Sequence, residues 1–336
     1  MPDLGSVRRF LLERTYSFAI VLVAILFVGN LIENPEFVAS DQIAGTLAIA
    51  APFVIAAVAS TPSILSGGGG IDLSVGPLLG FVNVILVARL IPEGLDEPYV
   101  AVPLLLALGA VIGLINGFLV AVVRLQPIVA TLGMYLILVG YSLREMPEPI
   151  GEAPDWLVDF RGSFGPIPGA LILMLVPVVA WILLQRTAFY RALMSVGGDE
   201  RASFSAGVNV TVVRIGAYVL GGMFAAVAGL ALTALIASGD PTIGPQYTLA
   251  AIAAVALGGT SLAGGRGGII GSILGAFAIF LIQNFLGAIG VAYYWNQVAY
   301  GAILLGALVL NAIVVTRSRR RSTSAEEAPE AAAASV

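Results

Sequence analysis

Residues 64–76 read ILSGGGGIDLSVG and lie between two long apolar runs. Gly67, Gly68, Gly69 and Gly70 cannot favour a continuous helix, because each glycine costs about 1 kcal/mol relative to alanine. Asp72 and Ser74 follow at once. A carboxylate or hydroxyl at that point can cap a new helix and sits well at its positive dipole end. Two readings stand. One is a turn outside the bilayer with a capping acid. The other is a break in the core of a membrane bundle that shapes a translocation path. Broken helices are tolerated at membrane depth where their backbone lines a cavity or is buried in protein. An acid within a membrane is a functional candidate by default, and Asp72 is the one acid at a span edge that is not plainly in a loop.

The rest of the chain sets that break in a membrane protein. Of its 336 residues, 59% are hydrophobic and 11% charged, and the mean hydropathy is +0.99. Soluble domains average about 45–50% apolar and about 25% charged residues. Ten apolar segments are legible, near 17–33, 42–64, 72–91, 99–123, 127–143, 167–185, 211–237, 246–258, 269–288 and 295–315. Most approach the roughly 20 residues that a bilayer-spanning helix needs. The eighth is too short to span alone. The first follows Arg8, Arg9 and Arg14, and is expected to be a retained span, since it is too long for a signal peptide and no small-residue cleavage site follows. The fold class expected is therefore all-α: a polytopic transmembrane bundle of about ten spans, with glycine-broken helices and an internal repeat.

Charge orients the bundle. An even number of spans places both termini on one side. With that side cytoplasmic, arginines 8, 9, 14, 124, 186, 191, 201, 214, 266, 317, 319, 320 and 321 fall inside, and only Arg89, Arg144 and Arg161 fall outside. That asymmetry is the positive-inside bias. Residues 1–16 then form a cytoplasmic N-terminus, residues 17–316 the membrane domain, and residues 317–336 a cytoplasmic tail. The tail is small, polar and acidic from Ser322 onward, a composition expected to stay disordered.

The chain has no histidine and no cysteine, and all of its basic residues are arginine. Disulfides, thiolate chemistry and imidazole-based acid–base or metal sites are excluded. Without lysine there is no G-x-x-x-x-G-K-[ST] phosphate loop. No catalytic residue, cofactor or metal is expected, and no nucleic-acid partner.

Two further stretches carry information. Residues 258–268, GGTSLAGGRGG, repeat the character of the opening stretch and open the next apolar run. Gly258, Gly259, Thr260 and Ser261 are candidates for a second break, and paired glycine interruptions point to a repeat. The inner loop 186–210 contains GGDERASFSAGVNV at 197–210. Asp199 can cap a short helix and Gly207 can end it. The loop reads either as a solvated connection or as a docking helix for an ATPase, with Gly198, Asp199, Glu200, Arg201, Ala202 and Gly207 as candidate coupling residues. Polar residues within spans are few. Asn83, Asn116, Thr131, Gln283, Asn284, Trp295 and Asn296 are candidates for lining a path. Asn116, between Gly113 and Gly117, also suits a hydrogen bond at a close helix contact, and Tyr293, Tyr294 and Trp295 suit an interfacial aromatic belt.

The segments GGGGIDLSVG (67–76), INGFLVAVVRLQPIVATLGM (115–134), GGDERASFSAGVNV (197–210) and AAIAAVALGGTSLAGGRGGIIGSILGA (250–276) together resemble the inner-membrane permeases of the ribose-type sugar ABC transporters, within the wider branched-chain amino acid and monosaccharide permease group. The resemblance implies a pore of two permease chains, identical or paired with a sister chain. It also implies two ATPase subunits on the cytoplasmic side, an extracytoplasmic binding protein, and a monosaccharide as cargo. Residues 197–210 resemble the family's coupling helix: Glu200, Ala202 and Gly207 match, whereas Arg201 and Ser203 depart from the usual acidic and alanine positions. Nucleosides and branched-chain amino acids are alternative cargoes. An ion-coupled secondary transporter would also have broken helices but should carry several membrane-embedded acids. An intramembrane hydrolase would need a paired-aspartate or G-x-S-x-G arrangement that the chain lacks.

Overall fold

The computed structural model of the chain describes residues 16–292 and, beyond them, positions 294, 295, 297–299, 301, 302, 305 and 306. Residues 1–15, Tyr293, Asn296, much of the tenth apolar segment and the tail from 317 lie outside the described residues.

The chain folds as a helical bundle. Helix α1 spans Ser17–Glu33 and α2 Ile43–Leu65. Helix α3, Val75–Ile85, continues through a π-helical turn at Leu86–Leu90. Helices α4, Pro98–Ala121, and α5, Pro127–Glu145, each start on a proline, whose fixed φ and missing N–H suit a first helical position. A short helix α6, Asp155–Val158, and an antiparallel pair of two-residue strands, β1 Ser163–Phe164 and β2 Ile167–Pro168, form the loop before α7, Gly169–Gln185. Helix α8, Ala188–Gly198, leaves α7 at 86°. Helix α9 is Glu200–Ser205, α10 Val210–Ile236, α11 Gln246–Leu257 and α12 Ile269–Ala288. Thr187, Asp199 and Asn209 cap α8, α9 and α10 through their side chains.

Among the described residues, α2, α4, α5, α10 and α12 are long and apolar enough to cross a membrane, while α1, α3 and α11 are shorter apolar helices. The third apolar segment begins as helix only at Val75, because residues 71–74 are used in the break itself. The eighth is the 12-residue helix α11, short as its sequence predicts.

Helix α10 is the hub, packed against α4, α2 and α3, with 72% of its apolar window buried against 28% for α5. Its contact with α4 is nearly backbone on backbone. A Cβ on Gly113 would lie 2.8 Å from the Tyr218 carbonyl carbon, and one on Gly117 2.8 Å from the Ile215 Cα. Lipid supplies no hydrophobic drive for helices to associate, so close van der Waals approach at small residues does the joining.

Candidate functional site

The break that follows α2 is built in two parts. Gly67, Gly68 and Gly69 take φ of +75°, +63° and +73°, a left-handed run that residues with a Cβ resist. Asp72 then organises the start of α3. It is 4% exposed, and its Oδ1 accepts from the Ser74 amide at 2.9 Å and the Ser74 hydroxyl at 2.7 Å. Three helices fasten this segment. Asn116 of α4 donates through Nδ2 to Ser74 Oγ at 2.8 Å. Thr131 of α5 accepts from the Leu73 amide at 3.1 Å. Thr248 of α11 donates to the Leu73 carbonyl at 3.4 Å. The carboxylate is thus enclosed in protein, and Asn116 makes the interhelical bond that its glycine neighbours suggest. Asn116 Oδ1 and the Tyr218 hydroxyl are buried without a hydrogen-bond partner.

The glycines of three separate turns meet. A Cβ on Gly67 would stand 2.9 Å from the Gly197 Cα, one on Gly197 2.6 Å from the Gly265 amide nitrogen, and one on Gly264 2.7 Å from the Gly67 nitrogen. The Gly265 amide donates to the Leu65 carbonyl at 3.1 Å. The two glycine-rich stretches that the sequence pairs therefore close on the end of α8, with no side chain between them. Behind this junction, Gly258 packs on α12, where its Cβ would come 2.8 Å from the Ser272 amide nitrogen. Gly259 turns at φ +77°. The Thr260 hydroxyl accepts from the Gly268 amide at 3.2 Å, and the Ser261 amide donates to the Arg266 carbonyl at 2.9 Å. Both polar residues are engaged within their own turn.

Helix α9 projects from the junction. Asp199 Oδ1 accepts from the Ala202 amide at 2.9 Å, Gly198 precedes the cap, and Gly207 ends the segment at φ +83°. Glu200 grips Arg214 of α10 through two bonds, Oε1 to Nη1 at 3.1 Å and Oε2 to Nη2 at 2.7 Å. The same guanidinium lies over the break, where a Cβ on Gly68 would be 3.2 Å from Arg214 Cζ. Ser203 is buried and shares a 2.8 Å hydrogen bond with Ser195 of α8, which accounts for a hydroxyl at this position. Arg201 is exposed, as is Phe204 at 73%. Beside α9 opens a groove of about 920 Å³ that includes Gly68, Arg124, Glu200, Arg201, Phe204 and Arg214 in its lining.

The other polar candidates are placed as helix-to-helix ties. Asn83 is fully buried and bonds Thr233, the Ser238 carbonyl and the Asp240 amide. Asn284 donates to Asn30 of α1 at 3.0 Å. Thr131 also donates to the Pro127 carbonyl at 2.9 Å, within its own helix. Trp295 lies against Tyr294 with ring centroids 5.9 Å apart and the rings tilted by 37°, and it is half exposed. Two features are not legible in the sequence. One is the role of Arg214. The other is a second groove, of about 430 Å³, lined by Leu73, Leu132, Tyr135, Pro245, Gln246, Thr248, Leu249 and Gln297. Polar side chains inside apolar runs, next to a proline, were the available signal for it.

A bundle of membrane-length helices with an enclosed break and a short exposed helix clamped at a glycine junction is the architecture of a multi-pass membrane protein. Residues 42–309 match the family described as branched-chain amino acid transport system / permease component, and the chain belongs to that family. It is 36% identical to the ribose import permease protein RbsC of Escherichia coli (strain K12) over 304 residues, 88% of this chain and 92% of the relative. It is 37% identical to the ribose import permease protein RbsC of Bacillus subtilis (strain 168) over 89% of this chain and 93% of the relative. With the fructose import permease protein FrcC of Rhizobium meliloti it shares 33% identity over 87% of this chain and 83% of the relative. No solved structure matches.

Proposed function

We propose that the chain is the permease subunit of an ATP-driven importer and forms the translocation path for a monosaccharide delivered by an extracytoplasmic binding protein. The observation that carries this is the similarity, over about nine-tenths of the chain, to permeases named for ribose and fructose import. In this reading the protein sits in the inner membrane with both termini cytoplasmic. Residues 1–16 and 317–336 flank the membrane domain 17–316, a second permease chain completes the pore, and a separate ATPase subunit supplies the energy.

Helix α9 is the coupling element in this account, with Gly198, Asp199, Glu200, Arg201, Ala202 and Gly207 forming or bounding it. The permease itself carries out no bond chemistry. ATP binding closes the ATPase dimer and displaces α9. The Glu200–Arg214 pair and the glycine junction pass that displacement to α10 and to the turns at 67–70 and 258–268. A partner shifts the balance between outward- and inward-open states only if it binds them differently. A junction made of backbone alone is suited to this, since it has no rotamers to absorb the movement. Gly68, Gly69, Gly70, Asp72, Ser74, Asn116 and Thr131 then form the part of the bundle that moves, with Gly258, Gly259, Thr260, Ser261 and Asn284 on the opposite hairpin.

The test is purification from native membranes in mild detergent, followed by uptake in reconstituted vesicles. The expected result is a co-purifying ATPase and ATP-dependent uptake of a labelled sugar. Uptake that follows an ion gradient with no ATPase present would overturn the proposal. The family description favours one second reading, a branched-chain amino acid as cargo, and ATP-driven uptake of labelled leucine in place of sugar would establish it.

A further inference from the structure

We infer that the groove between α5 and the first turn of α11 is a transient subsite for a monosaccharide on the wall of the path. The inference rests on the proposed function and adds the residues that meet the cargo.

The lining has the chemistry of sugar recognition. Tyr135 supplies an aromatic ring, Gln246 and Gln297 carboxamides and Thr248 a hydroxyl, against apolar walls that include Leu132 and Leu249. A pyranose or furanose presents a C–H face ringed by hydroxyls. The phenol can cover the face, while carboxamides both donate to and accept from hydroxyls. The volume of about 430 Å³ falls in the range of small-molecule sites.

The apolar walls at Leu132 and Leu249 are exposed and share the groove with the carboxamides of Gln246 and Gln297. Carboxamides turned into acyl chains would lose hydrogen bonds at a cost of a few kcal/mol each. A groove that exposes Gln297 and partly exposes Tyr135 therefore faces water or another chain, as the wall of a path does.

The groove is connected to the part of the bundle that moves. The floor of the groove is Leu73, in the break itself. Its carbonyl takes the Thr248 hydroxyl in a long 3.4 Å bond, and its amide is held by Thr131. Gly76 and Gly80 of α3 meet Gly244 just ahead of α11, where a Cβ on Gly80 would lie 2.9 Å from the Gly244 Cα. Displacement of the break changes the spacing between Leu73 and Thr248, and with it the width of the groove. Few polar groups in an open groove suit a cargo that must be released again.

The chain contains no cysteine, so label found on this chain reports the introduced cysteine alone. Tyr135→Cys, Gln297→Cys and, about 200° round α5 from Tyr135, the exposed Ile137→Cys would be reacted with a charged, membrane-impermeant thiol reagent in vesicles containing the whole transport complex. The groove positions are expected to react, and more slowly while D-ribose or D-fructose is being transported, whereas Ile137→Cys stays unreactive. In parallel, Tyr135→Leu and Gln297→Leu should lower sugar uptake more than about tenfold while binding-protein-stimulated ATP hydrolysis persists, and Tyr135→Phe should stay within about threefold of the parent. Unreactive cysteines at both groove positions, or leucine variants with full uptake, would overturn the subsite while leaving the permease reading intact. Absence of ATP-driven sugar uptake in the unaltered protein would overturn that reading first.

Discussion

Asp72 shows what one side chain does in this bundle. The Ser74 amide and hydroxyl both donate to its Oδ1, and the side-chain oxygen of an asparagine can accept the same two. Asp72→Asn is therefore expected to keep membrane levels and to hold uptake within about threefold, whereas Asp72→Ala leaves the Ser74 groups unpaired at a cost of about 1–3 kcal/mol. Quantitative blotting and uptake check both variants. Loss of uptake in a well-inserted Asp72→Asn would show that the charge itself is used. The Glu200–Arg214 pair makes a second residue-scale prediction. Glu200→Arg sets two cations face to face and should cut substrate-stimulated ATP hydrolysis about tenfold or more. The exchange Glu200→Arg with Arg214→Glu should restore much of it if the pair transmits motion. Failure of the exchange to rescue would mean that Glu200 acts on the ATPase directly. The sequence marks Asp72 and Glu200 but says nothing of depth or partner. Glu200 is 14 positions from Arg214, and only the turn of α9 onto the root of α10 brings them together.

Helix boundaries were readable because hydrophobic runs and punctuating Pro and Gly act locally. The segment 127–143 is α5, Pro127–Glu145, and 269–288 is α12, Ile269–Ala288. The glycine junction was only half readable. Two of its turns stand out by composition, but Gly197 sits in what reads as a loop, and no local pattern pairs it with Gly67 and Gly265. Its prediction is sharp because Gly198 supplies an internal control. A Cβ on Gly197 would collide with the Leu65 carbonyl and stand 2.6 Å from the Gly265 nitrogen, while one on Gly198 meets nothing within 4 Å. Gly197→Ala should lower stability by about 1–3 kcal/mol, as overpacking does, or uncouple hydrolysis from uptake. Gly198→Ala should leave thermal stability unchanged. Thermal stability in detergent and the uptake-to-hydrolysis ratio measure the difference. Equal behaviour of the two variants would remove the junction from the account.

At the scale of the whole chain, composition alone assigns the membrane and the helical class, because 59% hydrophobic residues in long runs have no soluble solution. The path was the least readable part. Most polar residues within spans turn out to be ties: Asn83 to α10, Asn284 to α1, and Thr131 to the break. The groove residues Tyr135 and Thr248 look like ordinary span residues until the fold sets them side by side. The central claim is that ATP hydrolysed by a partner drives a sugar through this chain. The most direct measurement is uptake of labelled D-ribose and D-fructose into vesicles reconstituted with the natively purified complex and its binding protein, with ATP saturating and an ionophore collapsing all ion gradients. The expected result is concentrative uptake of at least one sugar that persists with the ionophore and stops when ATP is withheld. Uptake lost on adding the ionophore while ATP is saturating, or unchanged when ATP is withheld, would contradict it.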